Sequence, residues 1–295
     1  MEEANPFTGR LEMLHLPLSW RRELYQRRSL HFLNRNTRLQ GECNVCGNQT
    51  VFLYDKKGNY RESLVCTKCG TTSRYRSIAR GLLLALAELS SVQAASISEL
   101  SSHRGVLTCI YDTQVSFYSQ VICYPIPDLL SKCRWIDVQT STYDPNQPWG
   151  TKLAPNITNQ NLEKLTFPDD HFDIVITSDV MEHVRLDDLA HREIVRVLKP
   201  HGIYLFTVPH VRDRTNTMIR VSTADREDPS KDEFLMEAEY HGDPNENRRS
   251  LCYRVYGKDL DETLKSLGFT VCYTIQDFPE LGIKQTELFS CQLTK

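Results

Sequence analysis

Leu165-Thr166-Phe167-Pro168-Asp169-Asp170-His171-Phe172-Asp173-Ile174-Val175-Ile176-Thr177-Ser178-Asp179-Val180-Met181-Glu182-His183-Val184 is the stretch on which the fold turns. It reads as a polar turn, a run of β-branched and aromatic residues that suits a strand buried on both faces, and a polar strand end. An amphipathic helix is expected from Asp187 to Leu198. Lys199-Pro200-His201-Gly202 stops it, and a second buried strand, Ile203 to Val208, is closed by Pro209.

Outward from this unit the alternation continues. Apolar segments at Val106–Tyr111, Cys133–Val138, Phe269–Ile275 and Leu288–Leu293 are separated by helix-like ones. Strands that alternate with helices predict a doubly wound, mostly parallel α/β sheet. A helix from about Arg74 to Ser90 precedes the sheet, capped by Thr71, Thr72 or Ser73 and carrying an apolar stripe over Leu82–Leu89.

Ahead of that helix stand two paired cysteines, Cys43-Asn44-Val45-Cys46-Gly47 and Cys66-Thr67-Lys68-Cys69-Gly70. Between them a hairpin is expected, with strands Val51–Tyr54 and Tyr60–Val65 around a polar turn. The double CxxC pattern predicts a zinc ribbon with Cys43, Cys46, Cys66 and Cys69 as ligands, each glycine letting backbone N–H groups approach sulfur. Four thiolates leave no position for an activated water, so the expected role of the zinc is structural. Redox pairs or plain buried thiols are the alternatives. The other six cysteines sit in apolar contexts and are assigned no chemistry.

The 295 residues carry a formal net charge of −3. Residues 1–80 sum to +7 and the remainder to −10, which fits either an anionic partner for the front or mutual attraction of the two parts. No apolar run reaches the roughly 18 residues of a membrane span, and the acidic start has no basic leader. A soluble, cytoplasmic protein with no membrane partner is expected. The organisation expected is a helical extension over 1–40, the ribbon over 41–72 and the α/β domain over 73–295.

The segment from Leu162 to Pro209 resembles the class I S-adenosylmethionine-dependent methyltransferases, in particular the type 11 methyltransferase domain with its FD-strand-EH-helix-RVLKPGG-strand pattern; His201 replaces the first glycine. Glu239-Tyr240-His241-Gly242-Asp243-Pro244 and Tyr253–Leu260, ending in Leu267-Gly268-Phe269, are similar to a bacterial-type subgroup that carries an N-terminal zinc ribbon. The resemblance implies a seven-stranded Rossmann-like sheet with its last strand antiparallel, and S-adenosylmethionine bound across the carboxyl ends of the first strands. It implies that Asp137, ending the second strand, holds ribose hydroxyls, and that Asn161 and Leu162 flank the adenine. The family's glycine-rich first loop is replaced by Tyr111-Asp112-Thr113-Gln114-Val115-Ser116-Phe117, which has no glycine. Asp112 and Thr113 then take over cofactor contacts, with Asp179 facing the same cleft.

Methyl transfer from a sulfonium needs alignment of the acceptor and a place for its proton. His183 is the first expectation for a base, because it follows the fourth strand and imidazole titrates near neutrality. Glu182 and His210 are the companion candidates, and Asp179, His241 and Asp243 lie in the same region of the pattern. The function expected is methylation of a small-molecule or glycan-like acceptor. RNA methylation and a catalytically silent scaffold, favoured by the glycine-free loop, stay open as alternatives.

Overall fold

The computed structural model describes residues 38–54, 59–112, 125–242 and 249–294. The expected helical extension, Thr113 with the rest of the glycine-free loop, and Asp243 lie outside the described residues. The chain divides into two compact units, one formed from Met1–Val106, Val115–Trp135 and Ile275–Glu287, the other from Leu107–Gln114, Ile136–Thr274 and Leu288–Lys295.

The first unit carries the paired cysteines. Strands β1 (Arg38–Glu42), β2 (Gln49–Leu53) and β3 (Val65–Cys66) form an antiparallel sheet in that order. The expected strand Tyr60–Val65 is a 3-10 turn over Tyr60–Glu62 followed by the two-residue β3. The Asn59 side chain accepts from Arg61 N and favours the turn over an extended chain. Helix α1 (Ser73–Ser90) follows as expected, with Thr72 at its N-cap making no side-chain capping bond. Ile78, Ala79, Leu82 and Leu86 are wholly buried, the spacing of one helix face.

Arg76, also wholly buried, ties this unit together. Its guanidinium lies over the Phe52 ring and donates to the carbonyls of Leu64, Thr71, Leu281 and Gly282. Segments far apart in sequence converge on one planar donor, a role the fixed fork of arginine suits and lysine does not. The short helix α2 (Ile126–Leu130) belongs to the same unit.

The second unit is built on β4 (Thr108–Asp112), β5 (Ile136–Thr142), β6 (Lys152–Ala154), β7 (Ile157–Asn159), β8 (Phe172–Ser178) and β9 (Leu198–Thr207), with helix α3 (Asp187–Val197) between the last two. Short antiparallel pairs follow: β10 (Met218–Ile219) with β15 (Arg254–Val255), β11 (Val221–Ser222) with β12 (Glu233–Phe234), and β13 (Tyr240–Gly242) with β14 (Arg249–Leu251). Helix α4 (Asp259–Ser266), β16 (Phe269–Phe278) and β17 (Ile283–Leu293) complete the chain.

The main sheet has the order β16-β17-β9-β8-β4-β5-β7-β6. β4, β5, β7, β8 and β9 run parallel, and β17 runs antiparallel to β9. This is the class I methyltransferase sheet of the Rossmann-like type, with β6 added antiparallel at one edge, so eight strands stand where seven are expected. From β4 the chain winds outward through β5 and β7, then returns to the other side of β4 as β8. The switch point of the topology therefore lies between β4 and β8.

The residues of the opening stretch mostly hold this sheet together. Asp173 Oδ2 accepts from Cys109 N at 2.7 Å and from Lys199 Nζ at 2.8 Å, bridging β8 to both neighbours at their amino ends. Glu193 accepts from Leu165 N at 2.7 Å and pairs with Arg196, which reaches Asp169 at 2.7 Å. His201 sits at φ 62°, the left-handed backbone that the usual glycine takes without strain.

Candidate functional site

Ligands of open α/β sheets lie outside the carboxyl ends of the strands, at the switch point. Asp112 is the last residue of β4, buried to 1% exposure. Asp179 directly follows β8 in the left-handed conformation, φ 52°. Its N–H donates to Thr207 O and its Oδ1 accepts from Thr207 Oγ1, both at 2.9 Å, so β9 aims this carboxylate. Asp112 and Asp179 thus stand at the ends of the two strands that flank the switch point.

Asp137 does not join them. It is the second residue of β5, paired with Cys109 near the start of β4. Five residues of strand, roughly 17 Å at the usual rise, separate it from the carboxyl edge. The expectation that Asp137 ends its strand is thereby corrected: β5 runs on through Thr140, Ser141 and Thr142, which are buried yet bonded. Ser141 Oγ meets the Tyr111 hydroxyl at 2.8 Å, and Thr140 Oγ1 donates to Asn156 O. The acid nearest the carboxyl end of β5 is Asp144, held by two bonds with the wholly buried Asn159: Asp144 N donates to Oδ1 and Nδ2 donates to Asp144 O.

Asn161 lies two residues past β7, where its Oδ1 accepts from Glu163 N at 3.0 Å and closes a local turn. Leu162 is packed in the hydrophobic core, so its side chain supports this edge from beneath. Tyr143 stacks on Trp149 at 5.3 Å after β5, an aromatic pair in the same region of the chain that sequence reasoning did not single out.

The polar cluster after β8 is compact. Met181–His183 form a 3-10 turn, clamped by Arg254, which donates to the carbonyls of Met181, Val184 and Arg185. Glu182 is wholly buried, and neither carboxylate oxygen has a hydrogen-bond donor. Its Oε1 lies 3.6 Å from His183 Nε2 and 3.7 Å from His241 Nδ1. The two rings meet edge to face, centroids 4.9 Å apart. His183 Nδ1 is 2.9 Å from Leu251 O, and His241 Nε2 is 3.1 Å from Glu239 Oε1. Contact with the Cys252 thiol, then with Glu182 and Glu239, pushes the His241 imidazole up to about 11 against the effect of burial.

His210 is held elsewhere. Its Nε2 lies 3.1 Å from Gly257 O, and its ring packs on Tyr273 and Phe289 at 5.1 and 5.3 Å. Of the three residues expected as catalytic, Glu182 and His183 therefore meet in one cluster, whose third member is His241.

In the first unit the four paired cysteines converge. Their sulfurs lie within 4.8 Å of one another, and Cys43 Sγ is 3.7 Å from Cys69 Sγ. Each pair ends in a tight turn, Gly47 N to Cys43 O at 2.7 Å and Gly70 N to Cys66 O at 2.8 Å, with the two glycines at φ 69° and 82°. Lys68 N points to Cys66 Sγ at 3.4 Å.

The family described as methyltransferase domain matches residues 134–206, the span from the start of β5 to the end of β9. Among solved structures, an S-adenosylmethionine dependent methyltransferase from Mesorhizobium loti is 14% identical over 63% of this chain and 91% of its own, with a TM-score of 0.37. One from Methanosarcina mazei is 16% identical over 63% and 92%, with a TM-score of 0.38. No curated protein matches the chain. Strand order and family match both fit a class I methyltransferase fold. Among the described residues no helix is long and apolar enough to cross a membrane.

Proposed function

We propose that the protein is an S-adenosylmethionine-dependent methyltransferase acting on a small-molecule or glycan-like acceptor. The observation that carries this reading is the placement of Asp112 and Asp179 at the carboxyl ends of β4 and β8, on either side of the switch point. Carboxylates fixed there suit the hydroxyl and amino donors of the cofactor. When bound, the cofactor supplies a methyl group already activated on sulfur. The chain's own residues then have two tasks. The strand ends orient the cofactor, and the cluster after β8 receives the acceptor and its proton, with His183 and Glu182 as the groups at hand. Titration calorimetry with S-adenosylmethionine tests the reading, and no heat of binding at millimolar ligand refutes it in favour of a silent scaffold.

We also propose that Cys43, Cys46, Cys66 and Cys69 hold a structural zinc ion. At a Zn–S distance of about 2.3 Å the edge of a tetrahedron of sulfurs is about 3.8 Å, which the 3.7 Å between Cys43 and Cys69 matches. Replacing Cys66 is expected to remove one equivalent of zinc from the purified chain.

A further inference from the structure

The Glu182 carboxylate poses a problem that hydrogen bonding does not solve. A wholly buried carboxylate with no donor to either oxygen is costly, because a charge removed from water must be paired or bound to a metal. Two imidazole nitrogens face it, yet at 3.6 and 3.7 Å both lie beyond the 3.2 Å reach of an N–H···O bond. The outer nitrogen of each ring is already engaged elsewhere. His183 Nδ1 is engaged with the Leu251 carbonyl and His241 Nε2 with the Glu239 carboxylate. Both partners accept only, so each ring keeps a proton on its outer nitrogen, and a cation that displaces any proton from the inner nitrogen meets a lone pair there. Two lone pairs and a carboxylate then point into one space.

That arrangement is what a cation requires. Around a divalent transition metal with nitrogen and oxygen ligands at about 2.0–2.2 Å, neighbouring donors of a tetrahedron stand about 3.4 Å apart. The separations here are close to that, and the three donor atoms all lie within 4.8 Å of one another. The outer bonds of the histidines are those by which metal-binding imidazoles are oriented, one to a backbone carbonyl and one to a carboxylate. The frame is stiff: Tyr253 N donates to Glu182 O, Cys252 N to Glu239 O, and Arg254 braces the turn beneath.

We propose that Glu182, His183 and His241 form a binding site for a divalent first-row transition cation such as zinc, separate from the four cysteines. Two histidines and one carboxylate leave at least one coordination position for an outside oxygen ligand, unlike the closed set of four thiolates. Side-chain exposure rises from 0% at Glu182 to 12% at His183 and 33% at His241, so the His241 side opens to solvent. The ligand class that fits the open position is a small molecule offering a hydroxyl or carboxylate oxygen. The site needs only this geometry and stands whether or not the chain transfers methyl groups.

The test uses the full chain, stripped with a chelator and dialysed against zinc, with bound metal counted per chain for the wild type and for His241→Ala. The wild type is expected to hold one equivalent more than the variant; equal counts overturn the proposal. Glu239→Gln keeps all three ligands and covers the case in which His241→Ala does not fold. It is expected to weaken the second equivalent by about 10- to 100-fold, and unchanged affinity overturns the proposal as well.

Discussion

His191 offers a stability prediction whose size follows from its surroundings. The ring lies in α3, 1% exposed, against Tyr204 and Phe206, and neither nitrogen has a hydrogen-bond partner. Burial lowers its pKa to about 4, with Asp187 opposing the shift and Arg254 adding to it. In the unfolded chain imidazole titrates near 6.5. Between those values the unfolded state binds a proton that the folded state refuses, so folding stability falls as pH drops. Above about 6.5 the residue is neutral in both states and contributes no slope.

Each pH unit in that window is worth about 1.4 kcal/mol, so His191 removes about 2 kcal/mol between pH 6.5 and 5, and roughly 3 by pH 4. His191→Leu retains similar volume, cannot titrate, and abolishes two buried nitrogens without partners. Urea unfolding of both proteins at pH 7, 6 and 5, with hydrogen exchange of α3 as a local readout, measures the difference. The variant is expected to gain about 2 kcal/mol on the wild type between pH 7 and 5. Carboxylates that titrate in the same range cancel in the comparison. Parallel profiles for the two proteins would refute the reasoning, because they would mean that His191 accepts its proton in the folded state at no cost.

Other outcomes follow from the same geometry. Asp112→Asn and Asp179→Asn should each weaken S-adenosylmethionine binding at least tenfold by calorimetry, whereas Asp137→Asn, at the opposite end of its strand, should leave it unchanged. Arg76→Met strips donors from four carbonyls, each orphaned group costing about 1–3 kcal/mol, and should lower stability by at least about 3 kcal/mol in urea melts. His201→Gly relieves a left-handed residue whose cost is roughly 1–2 kcal/mol, offset in part by the greater freedom of unfolded glycine, for a net gain of up to about 1 kcal/mol in the same assay.

Local pattern carried most of the fold into view. The β8-α3-β9 unit was legible because a buried strand, an amphipathic helix and a glycine-proline stop are each written in consecutive residues. The same is true of the cysteine pairs, since two residues between ligands and a following glycine define a knuckle before any tertiary contact is made. The second strand was misread for an equally local reason. Its apolar run ends at Val138, but Thr140, Ser141 and Thr142 continue the strand because Tyr111 and Asn156 supply their hydrogen bonds. That error moved the acidic position from the carboxyl edge to the amino edge, at Asp137. The 3-10 turn at Tyr60–Glu62 was missed similarly, for an Asn side chain decides it.

The candidate site divides along the same line. The sequence by itself determined that Asp112 and Asp179 stand at strand ends, because each closes an apolar run. Only the tertiary structure decided which of these groups meet. Glu182 and His183 are neighbours in the chain, but His241 reaches them from 58 residues away through the β13–β14 pair, and Leu251 and Glu239 set the direction of both rings. His210, equally promising as a residue type, is turned toward Gly257, Tyr273 and Phe289 instead. Nothing in the composition of a loop records the contacts that its fold will make, and for a cluster built from separated segments those contacts are the site.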